Sequence, residues 1–187
     1  MDRLRPIALA ILLLAALVTG SPLVAQQSAQ GVLVLDQERL FNESAFGVEV
    51  AQIADQAGRA LQAENRRIEQ ELTAEELALT EQRPGLSAAE FKVLADRFDT
   101  RVQDIRAAQD AKSEAIATRI ESDRRRFFQA ILPVLAGILR DEGAALIVDK
   151  RTALLSISSV DITDQALSEI DAALAASGVT ATAAEPP

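Results

Sequence analysis

Carboxylates are the side chains of this sequence that come closest to a catalytic arrangement. Glu75 with Glu76, and Asp96 with Asp99, form two acidic pairs, and positioned carboxylates can perform general acid–base catalysis. The chain has no Cys, His, Trp or Tyr, so the usual nucleophiles and transition-metal ligands are missing. Both pairs lie in a stretch of helical composition, where acidic residues on an exposed face are solvated. We therefore predict that the chain is no enzyme and uses no metal or cofactor.

The charge balance argues against a nucleic-acid partner. The 187 residues include 28 acidic and 19 basic side chains, which gives a net charge of −9 at pH 7. A protein that binds a phosphate backbone needs a basic face. The six aromatic residues are all Phe and are too few for base stacking. We predict no nucleic-acid binding.

A helix-forming stretch from 47 to 142 organises the chain. It is rich in Ala, Leu, Glu, Arg and Gln, and is interrupted at 83–86, where a Pro ends one helix and a Gly permits a turn. Ser87 and Glu90 then form the capping box of a second helix. Apolar residues recur at steps of three, four and seven on both sides, which is typical of a coiled-coil seam. We predict a long antiparallel helical hairpin, called the arm.

Two features disturb the second helix of the predicted arm. Between 105 and 116 the seam offers small and polar residues in place of large apolar ones, namely Ala108, Gln109, Ala111 and Lys112. This composition predicts an underpacked, flexible stretch. Pro133 lies inside the helical pattern, where it removes a backbone hydrogen bond and clashes with the preceding turn. A kink or break is expected there.

A basic run, Arg124 to Arg126, precedes that proline and leaves two interpretations open. It could be a patch for anionic lipid or for a protein partner, which would imply peripheral contact with a membrane. It could equally be a solvated helix face that pairs with Glu121, Asp123 or the neighbouring helix.

The first 25 residues have the pattern of a secretory signal peptide. Two arginines near the start are followed by an apolar run from Ile7 to Val18, too short for a comfortable transmembrane helix. The best cleavage site follows Ala25, which supplies the small side chain that such a site demands. We predict export to the periplasm, with cleavage after Ala25.

The remaining segments, 26–46 and 143–178, predict a small β-containing body. Residues 31–36 and 145–149 are short, apolar and rich in β-branched types, as in buried strands. A tight turn at Lys150 and Arg151 leads to a third predicted strand, 152–157, as the partner of the second. Gly143 is expected to end the arm.

The last predicted helix begins with Thr163 as its N-cap and ends at Ser177 and Gly178. The tail, 179–187, is small, polar and proline-terminated, and is predicted to be disordered. Three strands and one helix give little core for a monomer, which predicts that strands pair between subunits. The residues expected in that shared body are Val32, Val34, Leu146, Ile147, Val148, Leu154 and Leu155.

These pieces together resemble the Skp (OmpH-like) family. The amino-terminal strand is followed by an Arg-Leu-Phe sequence at 39–41, and Ser44 and Gly47 precede the arm. The more specific block runs from Gly143 through Leu146-Ile147-Val148-Asp149 and Leu154-Leu155 to Asp161-Ile162-Thr163-Asp164. The resemblance covers essentially the whole mature chain, although within the arm it rests on the coiled-coil pattern.

The resemblance implies an α+β, mostly α fold, with a helical-hairpin arm on a small β-body that forms a homotrimer. It implies a periplasmic chaperone that holds unfolded outer-membrane β-barrel proteins in a cavity between the arms, without ATP. The chain departs from the strongly basic members of the family, since its net charge is negative. Apolar residues near the turn exceed what a two-helix seam can bury, which makes them candidates for client binding: Leu77, Leu79, Leu86, Phe91 and Leu94.

The same pattern leaves one alternative of a different class. A structural coiled-coil spacer or adaptor in the periplasm would use the hairpin as a rigid rod with a fixed partner. A continuous apolar seam would favour that rod, and the diluted stretch after 105 favours the chaperone.

Overall fold

The computed structural model describes residues 31–181. The chain forms, in order, β1 (Gly31–Leu35), α1 (Gln37–Glu43), α2 (Ala45–Gln82), α3 (Ala88–Asp141), β2 (Ala144–Asp149) and α4 (Thr163–Ser177). Short 3-10 turns lie at Arg83–Gly85, Lys150–Thr152 and Ser158–Val160. The described chain is mostly helical with one small sheet, in agreement with the predicted class. The predicted signal peptide, its cleavage site after Ala25, and residues 182–187 lie outside the described residues.

The sheet pairs two strands that are far apart in the sequence. β1 and β2 run parallel, with Val32 opposite Leu146 and Val34 opposite Val148. The two long helices form the connection between them, so the strands meet only because the chain returns to the body. Both strand predictions are confirmed, and the pairing lies within one chain.

The third predicted strand, 152–157, is absent, and the prediction of a β-hairpin there is wrong. The Asp149 carboxylate accepts a hydrogen bond from the backbone N–H of Arg151 at 2.8 Å. The Thr152 hydroxyl donates to the carbonyl oxygen of Asp149 at 2.7 Å. These bonds wind the chain into a 3-10 turn at the position where a hairpin would reverse it. Residues 153–157 therefore leave the sheet without pairing to β2.

Ser44 joins α1 to α2 and caps both. Its side chain is fully buried, donates to the carbonyl oxygen of Phe41 at 2.9 Å, and accepts from the N–H of Gly47 at 3.0 Å. Its own N–H donates to the carbonyl of Leu40 and ends α1. The long helix consequently begins at Ala45, two residues before the predicted start of the arm.

The chain turns at Arg83–Gly85, as predicted, and α3 begins behind the predicted capping box. The N–H of Glu90 donates to the Ser87 hydroxyl at 3.3 Å, and the N–H of Ser87 donates to the Glu90 carboxylate at 2.9 Å. The hydrogen bonds from Ser87, first from its hydroxyl and then from its backbone, lower the pKa of Glu90. A charged carboxylate is thereby favoured at the helix N-terminus, where it also interacts favourably with the positive end of the helix dipole.

Pro133 does not break α3, which continues to Asp141. A proline costs one backbone hydrogen bond, and the adjacent turns are held on the core by Ile131 and Val134. Of the predicted kink or break, the break is therefore wrong, and a kink stays a prediction. Gly143, with φ of 60°, ends the helix in the left-handed conformation, as predicted. Within residues 31–181, no helix is both long and apolar enough to span a bilayer.

The hydrophobic core lies where the ends of α2 and α3 meet α1, α4 and the sheet. Phe127 is fully buried and contacts the rings of Phe41 and Phe46, with centroids 5.3 and 5.6 Å away. The other largest fully buried apolar side chains are Leu40, Ile131, Ile138 and Ile170. No residue between 51 and 122 is buried. The core of the body therefore comes largely from helices. It includes more helical residues than the three strands and one helix predicted for the body would supply.

The prediction of disorder over 179–187 is wrong for residues 179–181. Val179 packs on the core, and Ala181 is only 5% exposed. The sequence pattern missed this because small residues with few apolar atoms become ordered only when neighbouring helices provide a surface. α4 itself ends at Ser177, with Gly178 in the left-handed conformation, as predicted.

Candidate binding surfaces of the arm and the body

The five apolar residues predicted near the turn all retain exposed surface. Leu77 is 59% exposed, and the others are half-buried: Leu79, Leu86, Phe91 and Leu94. The Arg83 guanidinium lies 4.2 Å from the ring centroid of Phe91, which covers part of that ring by a cation–π contact. Sequence reasoning missed Val93, which is 50% exposed. The signal in the sequence is an apolar residue that lies between two seam positions and is not itself at one.

One carboxylate of each acidic pair takes part in an ion pair on the helices. Glu75 on α2 contacts Arg101 on α3 at 2.7 Å, and Asp96 contacts Lys92 one turn earlier at 2.7 Å. Among residues 31–181, no acidic cluster has the arrangement to hold a metal ion. These carboxylates serve the helix surface and the contact between α2 and α3.

The diluted part of the seam contains a polar contact between α2 and α3. The Lys112 ammonium donates to both oxygens of Glu64, at 2.8 and 2.9 Å, and both residues are only partly exposed. The hydrogen bond from Lys112 is the main cause that lowers the pKa of Glu64, and one from Gln109 adds to it. A charged contact between α2 and α3 therefore replaces apolar packing at this position of the seam.

Two arginines of the basic run contact the body of their own chain. The Arg124 guanidinium lies 5.2 Å from the Phe41 ring centroid, and that of Arg126 lies 5.3 Å from Phe46. Arg126 also pairs with Asp123, a carboxylate that is 4% exposed, at 3.3 Å. These contacts favour the interpretation in which the run pairs within the chain.

Asp161 and Thr163 join four segments of the body. The Asp161 carboxylate accepts from Lys150 Nζ at 2.8 Å, and from the Thr163 N–H and hydroxyl at 3.0 and 2.6 Å. The Thr163 hydroxyl in turn accepts from the N–H of Asp36, which follows β1, at 3.0 Å. Thr163 is the first residue of α4, and the predicted N-cap role is wrong because Asp161 bonds the free N–H instead.

The residues predicted for a shared body divide into two groups. Val34 is buried, and Ile147 and Val148 are half-buried against the core of their own chain. Val32 and Leu146 are opposite each other in the sheet and are 46% and 44% exposed. The irregular segment after β2 adds larger exposed apolar side chains: Leu154, Leu155 and Ile157. Ile157 was not among the predicted residues, although it lies in the same apolar run.

The sequence was compared with known proteins once this geometry was established. The family described as outer membrane protein (OmpH-like) matches residues 31–170, three quarters of the chain. The chain belongs to the OmpH-like family. Among curated proteins, none matches the sequence.

A solved structure supports the same fold for this OmpH-like chain. The crystal structure of an OmpH-like protein from Caulobacter crescentus CB15, assigned there as an outer membrane chaperone, has a TM-score of 0.70 and 16% sequence identity. The similarity covers 76% of this chain and 85% of that one. At such low identity it establishes a shared architecture and leaves function to be argued from surfaces. The resemblance stated from the sequence is confirmed at the level of the family.

The Asp161 cluster of the OmpH-like chain predicts a specific dependence of stability on pH. Hydrogen bonds from Lys150 and then Thr163 lower the pKa of Asp161 from 3.8 to about 2. This difference corresponds to roughly 2 kcal/mol of folding stability, present above pH 4 and lost as the pH falls through 2. We expect Asp161→Asn to lower the free energy of unfolding by about that amount at pH 7.

Urea unfolding of both proteins at pH 7, 4, 3 and 2 checks this expectation, and the two curves should converge below pH 4. Asp164→Asn is the matched control, because its carboxylate is 82% exposed and pairs with Arg39 at the surface. Such pairs contribute about 0–1 kcal/mol. A difference for Asp161→Asn that stays constant across this range would contradict the assigned cause.

Proposed function

We propose that this OmpH-like protein is an ATP-independent periplasmic holdase chaperone. It binds unfolded outer-membrane β-barrel proteins and prevents their aggregation during transit to the outer membrane. Membership of the OmpH-like family supports a chaperone role in general and gives no support to an enzyme. The observation that carries the proposal is the long unit between 51 and 122, which has no buried residue and exposes apolar side chains near its turn.

The proposed holding element is the antiparallel α2–α3 arm. Strands of an outer-membrane barrel alternate apolar and polar side chains, so a protein that holds many of them needs dispersed apolar contacts and no fixed pocket. Leu77 and Val93 offer such contacts, and the half-buried Leu79 and Phe91 offer further surface if the seam opens locally. Each contact contributes a fraction of the roughly 1.5–3 kcal/mol of a fully buried apolar side chain. Several together hold a client without trapping it.

The proposed assembly is a homotrimer whose arms surround the client. The exposed apolar run formed by Leu154, Leu155 and Ile157 has no covering element within residues 31–181. A second and a third copy of the body would cover it, together with the exposed side chains of Val32 and Leu146 on the sheet. This occupant fits because the patch follows β2 in the chain, and the resemblance implies a β-body that three copies share. No ATP, metal or nucleic acid enters the proposed mechanism.

The double change Leu77→Ser and Val93→Ser tests the holding surface. Both side chains are at least half exposed, so we expect the free energy of unfolding to change by only about 0.5 kcal/mol. Aggregation of an unfolded porin diluted from urea, followed by light scattering, should require several-fold more of the variant for the same suppression. Leu132→Ser is the control, since Leu132 is 62% exposed but lies on the body end of α3.

A second pair, Leu79→Ser with Phe91→Ser, separates holding from seam packing. If melting falls while protection stays intact, these two residues belong to the seam. If unmodified protein and the Leu77/Val93 variant both fail to suppress aggregation at any ratio, the holdase proposal is wrong. The coiled-coil spacer then becomes the better interpretation of the same arm.

A further inference from the structure

Residues 179–181, which follow the Gly178 cap of α4, lie across the base of the arm. Val179 packs on the core, Thr180 is exposed, and Ala181 is 5% exposed. Burial therefore alternates from one residue to the next, and only small or β-branched apolar side chains face inward. In the sequence, the alternation of apolar and polar residues continues through Thr182 and Ala183. The same alternation characterises the strands of an outer-membrane barrel.

Two hydrogen bonds to this segment, from Arg126 and to Glu49, involve its main chain. The Glu49 carboxylate on α2 accepts a hydrogen bond from the N–H of Ala181 at 2.9 Å. The Arg126 guanidinium on α3 donates to the carbonyl oxygen of Thr180 at 2.5 Å. Every residue except proline offers these two backbone groups, so the contacts recognise a chain without selecting its side chains.

Arg126 is held by contacts that do not involve the segment. Arg126 stacks on the Phe46 ring at 5.3 Å and pairs with the buried carboxylate of Asp123 at 3.3 Å. Arg119 pairs with the other oxygen of Asp123 at 2.9 Å. A guanidinium fixed in this way loses little conformational freedom on binding a carbonyl oxygen. The root groove is defined here as the surface formed by Phe46, Glu49, Asp123 and Arg126.

We propose that the root groove is a binding site for one alternating apolar–polar segment of an unfolded barrel client, occupied in the empty protein by residues 179–181. This inference rests on the proposed holdase function and adds a second site to it, at the base of the arm. The tail segment acts as an internal substitute for a client. It covers the groove until a client segment displaces it.

The tail segment is covalently linked to the body, and this link explains why free peptides are kept out of the site while a held client can still enter it. A segment joined to its site by a short linker has an effective concentration in the millimolar range. A free peptide at micromolar concentration competes poorly against it. A client already held by the arms is also tethered, and it carries many alternating segments at comparable effective concentration. Displacement therefore favours clients that are already held over stray peptides.

Removal of the tail tests the proposal directly. The probe is a fluorescent peptide with the sequence of residues 179–187, titrated by anisotropy against the full chain and against a chain ending at Gly178. We expect saturable binding to the shortened chain and about tenfold or greater weakening with the full chain. Glu49→Ala in the shortened chain should weaken binding at least about tenfold, whereas Gln52→Ala, an exposed neighbour on α2, should not.

Two variants of the peptide test the alternation of burial. An Ala181→Asp peptide places a charge at a buried position next to the Glu49 carboxylate and should lose binding. A Thr180→Asp peptide changes an exposed position and should bind as the unmodified peptide does. Equal loss for the two peptides, or no saturable binding of the unmodified peptide, would overturn the proposal.

The full chain carrying Ala181→Asp provides a second test if the shortened chain does not fold. The change should eject the tail, so this chain should bind the unmodified peptide at least about tenfold more tightly than the parent does. A synthetic strand from an outer-membrane barrel should compete with the peptide in either protein. If that strand fails to compete, the segment only stabilises the fold of its own chain, and the proposal is overturned. None of these readouts uses protection from aggregation, so they stand or fall separately from the holdase assay.

Discussion

Gly47→Ala is expected to destabilise the protein by about 3 kcal/mol or more, although it adds a single methyl group in a helix. A Cβ at Gly47 would lie 1.7 Å from the carbonyl oxygen of Phe41 and 2.7 Å from its carbonyl carbon. These are backbone atoms of α1, so no side-chain rotation relieves the clash, and α1 must move away from α2. Overpacking of this kind costs about 1–3 kcal/mol and sometimes more. Displacement of the Ser44 cap adds about 1 kcal/mol.

Gly58→Ala is the matched control in the same helix. A Cβ at Gly58 meets nothing within 4 Å, and alanine is favoured over glycine in a helix interior by roughly 0.8–1 kcal/mol. The two identical substitutions should therefore shift urea unfolding midpoints in opposite directions, measured at one fixed protein concentration because assembly contributes to stability. If both substitutions shift the unfolding midpoint in the same direction, the close approach of α1 and α2 does not limit stability.

Leu154→Asp with Leu155→Asp is expected to convert the proposed trimer into monomers with little loss of helix. Both leucines are almost fully exposed in the single chain, at 101% and 95%. In a monomer these changes cost almost nothing, whereas in an interface each covered leucine contributes about 1.5–3 kcal/mol, and the added charge would be buried. The mass in sedimentation should fall threefold while the far-UV circular dichroism stays that of the parent.

Leu77→Asp is the control for this experiment, because Leu77 is exposed on the arm, next to the turn and remote in sequence from the body. It should leave the mass of the assembly unchanged. A parent protein that sediments as a folded monomer would refute the proposed assembly. A trimer that survives both leucine changes would place the interface elsewhere, with the exposed side chains of Val32 and Leu146 on the sheet as the next surface to test.

Sequence patterns determined the elements that depend on neighbours a few residues apart. Caps and turns could be predicted because local backbone conformation decides them. They are the turn at 83–86, the capping box of Ser87 and Glu90, and the glycine that ends α3. The two strands were readable from β-branched composition. The family followed from the combination of these elements in order, and three quarters of the chain matches it.

Only the tertiary structure decided the features that depend on contacts between distant segments. The Asp-Ile-Thr-Asp motif was interpreted as a helix cap. In the structure it is a junction between the end of β1, Lys150 and α4, because Thr163 bonds Asp36, 127 residues away, and Asp161 bonds Lys150. Residues 152–157 had the composition of a strand, but hydrogen bonds to Asp149 from Arg151 and Thr152 wind the chain into a 3-10 turn, so this segment does not fold back on β2. Residues 179–181 had the composition of a disordered tail but met a prepared surface on α2 and α3. Local sequence specifies the conformations that a segment can adopt, and the surfaces present after the chain returns on itself select among them.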